Sequence, residues 1–212
     1  MPFIDRVDAG KKLAAALAKY RKAKDAVVVA LPRGGVVLGR VIADDLGLPL
    51  DIIVPRKIGA PENEEYAIGA VTESGHVVWN AAERARIDDA WAEAEVSKQK
   101  AEAARRLKVF RAGLPPRDLK GKTVLLVDDG IATGYTIRAA IETARAESPS
   151  RLVVAVPVSP PDSAEAVARM SDEFIALERP DLFLAIGAFY NDFVQVEDDE
   201  VAALMRRGAR RI

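Results

Sequence analysis

The chain has 212 residues, half of them apolar, with 31 basic against 32 acidic side chains; this suits an α/β unit with a sizeable core and gives no support to a nucleic-acid module held by bulk positive charge. Cysteine is absent and His76 is the only histidine, which removes disulfides and thiol nucleophiles and leaves little for histidine triads or multi-histidine metal sites. The start, Met-Pro-Phe-Ile-Asp-Arg-Val-Asp, lacks the apolar stretch of a signal peptide, and no apolar run approaches the ~20 residues of a membrane span, so a soluble cytoplasmic protein is expected.

Residues 5–20 carry Val7, Leu13, Ala14 and Leu17 at helical spacing, with Asp5 as a cap. The apolar run at 27–31, broken by Pro32, is too short for a helix and reads as a buried strand. A turn, Pro32-Arg33-Gly34-Gly35, leads into a helical pattern at 36–46, which Gly47 stops. A further strand at 50–54 ends at Pro55-Arg56-Lys57. The alternation of strand and helix then lapses. Residues 67–72 and 76–79, separated by Glu73-Ser74-Gly75, predict a hairpin, and 81–111 predicts one long, charged, solvated helix. The sheet resumes at Thr123, followed by strands at 152–156 and 174–177, a helix near 163–170 and a final segment from Pro180. The expected architecture is an open, twisted, mainly parallel sheet flanked by helices, in a single domain spanning 1–212. It carries an inserted hairpin and helix at about 58–118 and a small C-terminal hood at about 180–212.

Residues 124–136, Val-Leu-Leu-Val-Asp-Asp-Gly-Ile-Ala-Thr-Gly-Tyr-Thr, carry the strongest functional signal. Four apolar residues read as a strand buried on both faces. Asp128 and Asp129 fall at its C-terminal end, and the small-residue loop turns into a helix, so backbone N–H groups and the Thr133 and Thr136 hydroxyls can converge on one anion. Paired carboxylates repel phosphate; their partners are vicinal hydroxyls or a bridging cation. In an open parallel sheet the C-terminal strand ends share one edge, where ligands bind.

This stretch resembles the phosphoribosyl pyrophosphate motif of the type I phosphoribosyltransferases, with Asp128-Asp129 where many members have Glu-Asp; the shorter first acid keeps the charge and changes the reach to the ribose. The resemblance extends over roughly residues 3–207, through Leu31-Pro32-Arg33-Gly34-Gly35, Asp128 to Gly134 and Phe189-Tyr190-Asn191-Asp192-Phe193. It implies transfer of phosphoribosyl from phosphoribosyl pyrophosphate to a nitrogen acceptor, with a nucleobase expected, release of pyrophosphate, and Mg²⁺ as cofactor.

By the same resemblance, Arg33, Gly34 and Gly35 bind pyrophosphate, and Asp128 and Asp129 hold the ribose hydroxyls and the metal, directly or through water. Gly130, Ile131, Ala132, Thr133, Gly134, Tyr135 and Thr136 complete the donor site, with Ala132 to Thr136 on the 5′-phosphate. Asp129 is also the candidate for an acid/base or metal-linked role. Taken alone, Pro-Arg-Gly-Gly is an ordinary turn. Arg56 and Lys57 read either as a solvated pair or as the start of a mobile catalytic loop whose basic residue, Lys57 among the catalytic candidates, reaches the leaving pyrophosphate. Glu65 and Tyr66 are weaker candidates in the same insertion.

Phe183, Phe189, Tyr190 and Phe193 suit core packing first. The family's base-recognising hood lies at the C-terminus, which makes Phe183, Phe189 and Tyr190 candidate base contacts. Pro180-Asp181-Leu182-Phe183 and Gly187 resemble the corresponding part of purine phosphoribosyltransferases, which implies a lean toward a purine. The expected partners are small molecules and further copies of the chain in a homo-oligomer, with no nucleic acid and no membrane. The alternative is a regulator that binds the donor or a nucleotide without turning it over; a diphosphate-forming synthetase lacks a second nucleotide motif.

Three features are set aside. Gly121-Lys122-Thr123 precedes a strand, unlike a P-loop. His76 sits in the hairpin as a structural or exposed residue. Acids at 197–200 followed by Arg206, Arg207, Arg210 and Arg211 match a helix dipole better than a basic tail.

Overall fold

A computed structural model describes residues 2–209. Five parallel strands form the main sheet: β1 (Ala26–Ala30), β2 (Leu50–Ile52), β6 (Thr123–Val127), β7 (Arg151–Val158) and β8 (Glu173–Glu178), in the order β2-β1-β6-β7-β8. The chain leaves β1 toward β2 on one side and later returns to β6 on the other, so the strand order reverses between β1 and β6. Their register runs from Ala26 opposite Thr123 to Ala30 opposite Val127, which brings their C-terminal ends level.

Successive residues of β1 serve opposite cores, as the two-residue period of a strand requires. Val28 and Ala30 pack with Leu13 of α1 (Arg6–Ala16), with Leu17 just after it, and with Ile42 and Leu46 of α2 (Gly34–Leu46). Val27 and Val29 pack with Ile137 and Ile141 of α5 (Tyr135–Ala146) and Val167 of α6 (Pro161–Ala168). Burial on both faces explains why these strands appear as unbroken apolar runs. Asp5 caps α1 by accepting from the Asp8 N–H, and Gly47 ends α2 at φ 68°, in the left-handed region.

The insertion is a separate antiparallel sheet of β3 (Pro55–Ala60), β4 (Asn63–Thr72) and β5 (Val77–Trp79). The β4–β5 hairpin lies where expected, turning at Gly75 with φ 93°. Arg56 and Lys57 differ from the loop expectation: they lie within β3, opposite Val71 and Ala70. The cause is Ile58, fully buried against Ile68 and Val71, which makes 55–60 a half-buried strand.

The long helix is also divided, into α3 (Ala81–Arg84) and α4 (Asp89–Phe110). Asp88 leaves helical geometry and caps α4 by accepting from the Trp91 N–H, a local carboxylate-to-backbone bond that competes with helix continuation. After η-turn residues 186–189, α7 (Asp198–Ala209) has acids in its first turn and Arg206 and Arg207 in its last; Arg210 and Arg211 lie outside the described residues. Among the described residues no helix is long and apolar enough to cross a membrane.

Two polar clusters fasten the insertion to the main sheet. Thr72 and Thr143, both buried, pair their hydroxyls at 2.7 Å, and Ser74 and the Nδ1 of His76 join them, linking the hairpin turn to α5. Arg117 donates to Glu73 at 2.9 Å, to Glu147 at 2.8 Å and to the Ile52 carbonyl at 2.7 Å. Removing one member leaves buried charge uncompensated. Arg117→Met is expected to lower unfolding free energy by roughly 3–5 kcal/mol in a urea titration, without loss of the parallel sheet's circular-dichroism signal.

Candidate functional site

Two loops leave adjacent strand ends and face each other. From β1, Pro32 and Arg33 lead directly into α2; the Pro32–Arg33 peptide is cis. From β6, Asp128 and Asp129 lead through 130–134 into α5. A Cβ on Gly34 would lie 1.9 Å from Asp129 Oδ2, and one on Gly35 would lie 3.0 Å from the Asp128 Cα, so glycine permits this backbone approach.

Neither α2 nor α5 has a side-chain cap, in contrast to α1, α3 and α4, which Asp5, Asn80 and Asp88 cap. The first-turn N–H groups of α2 and α5 are therefore left without that partner where an anion would sit. Gly134 turns into α5 at φ 79°, and Ser163 braces the loop by donating to the Ala132 carbonyl at 2.7 Å.

These loops form one side of a cleft of about 1060 Å³. Arg33, Gly34, Lys57, Asp128 and Asp129 line it, as do Gly130, Ala132, Thr133, Gly134 and Thr136. Gly35 lies behind, against Asp128. Ile131 is in the core, its N–H bonded to the Val158 carbonyl, and Tyr135 packs on Ala70, Val78 and Ala139. Arg56, Glu65 and Tyr66 line the opposite wall, together with Trp91, Glu95 and Gln99 of α4. The α4 residues follow i, i+4, i+8 spacing, a pattern hidden within a helix whose composition suggests solvation on all sides.

The C-terminal aromatics are arranged differently from the base-contact expectation. Phe183 and Phe189 stack on each other with centroids 5.3 Å apart. Tyr190 is buried and donates to the Asp129 carbonyl at 2.6 Å. The cleft is lined from this segment by Ile186 and Phe193, followed by Gln195 and Val196.

Asp129 Oδ2 accepts from Arg6 Nε at 2.8 Å, and Asp128 Oδ1 accepts from the Asp129 N–H at 2.9 Å. Burial, with the Asp129 charge next, pushes the Asp128 carboxyl well above its ordinary range; burial also raises Asp129, against the opposing pull of Arg6. Arg33 lies 3.5 Å from Glu197 and 3.6 Å from Asp198 at the start of α7.

No group of three acids or histidines that could hold a metal occurs among the described residues. Two adjacent carboxylates nevertheless fit Mg²⁺, which takes one or two carboxylates and fills the rest of its shell with water and ligand phosphate. Arg6 escaped the sequence reading. Its trace there is a cation in the first turn of a helix, where the dipole disfavours positive charge.

The fold and cleft define an open α/β protein with its ligand crevice at the topological switch point. The chain belongs to the phosphoribosyltransferase family: the family described as "Phosphoribosyl transferase domain" matches residues 4–183. It is 42% identical over 210 residues to "Putative phosphoribosyl transferase Rv0571c" of Mycobacterium tuberculosis, covering 98% of this chain and 47% of that protein, so the chain spans about half the length of the curated relatives it matches. TT1426 from Thermus thermophilus has 41% identity and a TM-score of 0.81, over 98% of this chain and 99% of that one. Purine phosphoribosyltransferase from Pyrococcus horikoshii shares the fold, with a TM-score of 0.50 and 19% identity over 92% and 96% of the two chains.

Gly34→Ala is expected to push Asp129 and Arg6 apart. The overpacked turn should lower the unfolding free energy by about 1–3 kcal/mol in a urea titration.

Proposed function

We propose that this chain transfers the phosphoribosyl group of phosphoribosyl pyrophosphate to a nitrogen of an acceptor base, releasing pyrophosphate. The observation that carries the proposal is the meeting of Asp128, Asp129 and the uncapped start of α5 with Arg33 and Gly34 across one cleft. A donor with phosphate at one end, vicinal hydroxyls in the middle and diphosphate at the other matches that sequence of groups. In the reaction the acceptor nitrogen bonds to C1, the C1–O bond breaks, and its electron pair leaves with pyrophosphate.

Negative charge grows on the leaving group while the ribose becomes oxocarbenium-like, so cations are needed at one end and anions beneath the sugar. Arg33 and Lys57 serve the diphosphate, and Asp128 and Asp129 hold the hydroxyls. Loop 132–136 anchors the 5′-phosphate, so both ends of the donor are held and C1 is oriented for attack. Asp128 and Asp129 would hold Mg²⁺, which would supply positive charge at the diphosphate. The purine lean rests on Pro180 to Phe183 and Gly187; at the cleft itself, Ile186 and Phe193 offer the apolar surface that a planar base needs. A cytoplasmic homo-oligomer belongs to the same reading.

The test is pyrophosphate release from phosphoribosyl pyrophosphate and Mg²⁺ over a panel of purines, pyrimidines and other nitrogen acceptors. Release with at least one acceptor, abolished by chelating divalent cations, is the expected result. Tight donor binding without release across the panel would assign the chain instead to donor-binding regulators. Arg33→Ala should lower turnover by about 100-fold with little change in melting temperature. Asp129→Asn should lower turnover as far and also lower the melting temperature, because it takes the counter-charge from the buried Arg6.

A further inference from the structure

Arg6 is a buried cation from the opposite end of the sequence to the hood. Its side chain is 10% exposed, an unfavourable place for a guanidinium unless charge and hydrogen bonds are satisfied. Nε donates to Asp129 Oδ2 at 2.8 Å, Nη1 donates to the Val194 carbonyl at 2.7 Å, and the guanidinium carbon lies 3.8 Å from the centre of the Phe193 ring. Beside it, Phe3 and Ile4 bind the same C-terminal segment through their backbone: the Phe3 N–H donates to Phe189, while the Asn191 and Asp192 N–H groups donate to Phe3 and Ile4. A planar fork can satisfy Asp129 and Val194 at once and stack on Phe193; a lysine has one nitrogen to divide between them.

We propose that Arg6 is the positioning residue that joins the acidic pair to the hood, holding Asp129 and residues 193–194 in one register so that the donor and acceptor sides of the cleft form together. The assignment of donor and acceptor to those sides rests on the phosphoribosyltransferase reading; the join itself rests on the three contacts. A Cβ on Gly34 would come within 2.7 Å of Arg6 Nε, so the join is packed directly against the turn that starts α2.

The experiment compares wild type, Arg6→Ala and Arg6→Lys by amide hydrogen exchange without ligand, and by calorimetric titration with phosphoribosyl pyrophosphate plus Mg²⁺. In Arg6→Ala, exchange across 186–196 should quicken by roughly tenfold or more while β7 and α5 keep their protection. Donor affinity should fall by about 10- to 100-fold. Arg6→Lys should recover most of the donor affinity but leave 186–196 quick to exchange, separating the charge on Asp129 from the fork that holds the hood.

Wild-type exchange across 186–196 in both variants overturns the proposal. So does uniformly faster exchange over the whole chain with donor affinity unchanged, which is the signature of a simple stabilising pair. If Arg6→Ala does not fold, Arg6→Lys carries the same comparison. Failure of the wild type to bind the donor sinks the proposed function, and the exchange measurement still decides the role of Arg6.

Discussion

At the end of β6 the Asp129 carboxylate lies against the backbone of Gly34, leaving no room for a side chain between them. This contact exists because β1 and β6 are neighbours in register, although nearly a hundred residues separate them, and because their loops diverge at the point where strand order reverses. The other features of the cleft follow from that closeness. It brings a turn ending in the uncapped start of α2 to the same opening as a loop ending in the uncapped start of α5, and places Arg33 across from two acids.

The chain's near-neutral charge is consistent with a local anion site. In the free protein, Arg33 has loose partners in Glu197 and Asp198, at distances beyond a good hydrogen bond. Arg6 and Asp129 are a contrasting pair: short, buried and supported from above by Tyr190 on the Asp129 carbonyl. One cation is therefore loosely paired and the other is built into the framework.

What the sequence revealed follows from the range of each interaction. The strands at β1, β6 and β7 were legible because burial on both faces writes itself as consecutive apolar residues. The loops that line the cleft were legible because two acids and several small residues are adjacent in the chain. The β3 strand was obscured by the basic pair Arg56-Lys57, whose strand character comes from Ile58 meeting Ile68 and Val71. The break before α4 depends on one capping carboxylate, Asp88, in a segment whose composition favours continuous helix. Arg6 is joined to partners 123 and 188 residues away, contacts that produce no local period. The aromatic segment showed the ambiguity of composition: Phe183, Phe189 and Phe193 are chemically alike, and only Phe193 lines the cleft.

The hydroxyl cluster of Thr72, Ser74, Thr143 and His76 has a mechanical consequence. Thr143 lies on the helix that follows loop 130–134, eight residues after Tyr135 and so roughly 12 Å along the axis. Tyr135, at the first turn of that helix, packs on Ala70 and Val78 of the small sheet. The small sheet thus holds α5 at two heights, so the helix that follows loop 130–134 is fastened to the same sheet that brings Arg56 and Lys57 to the cleft.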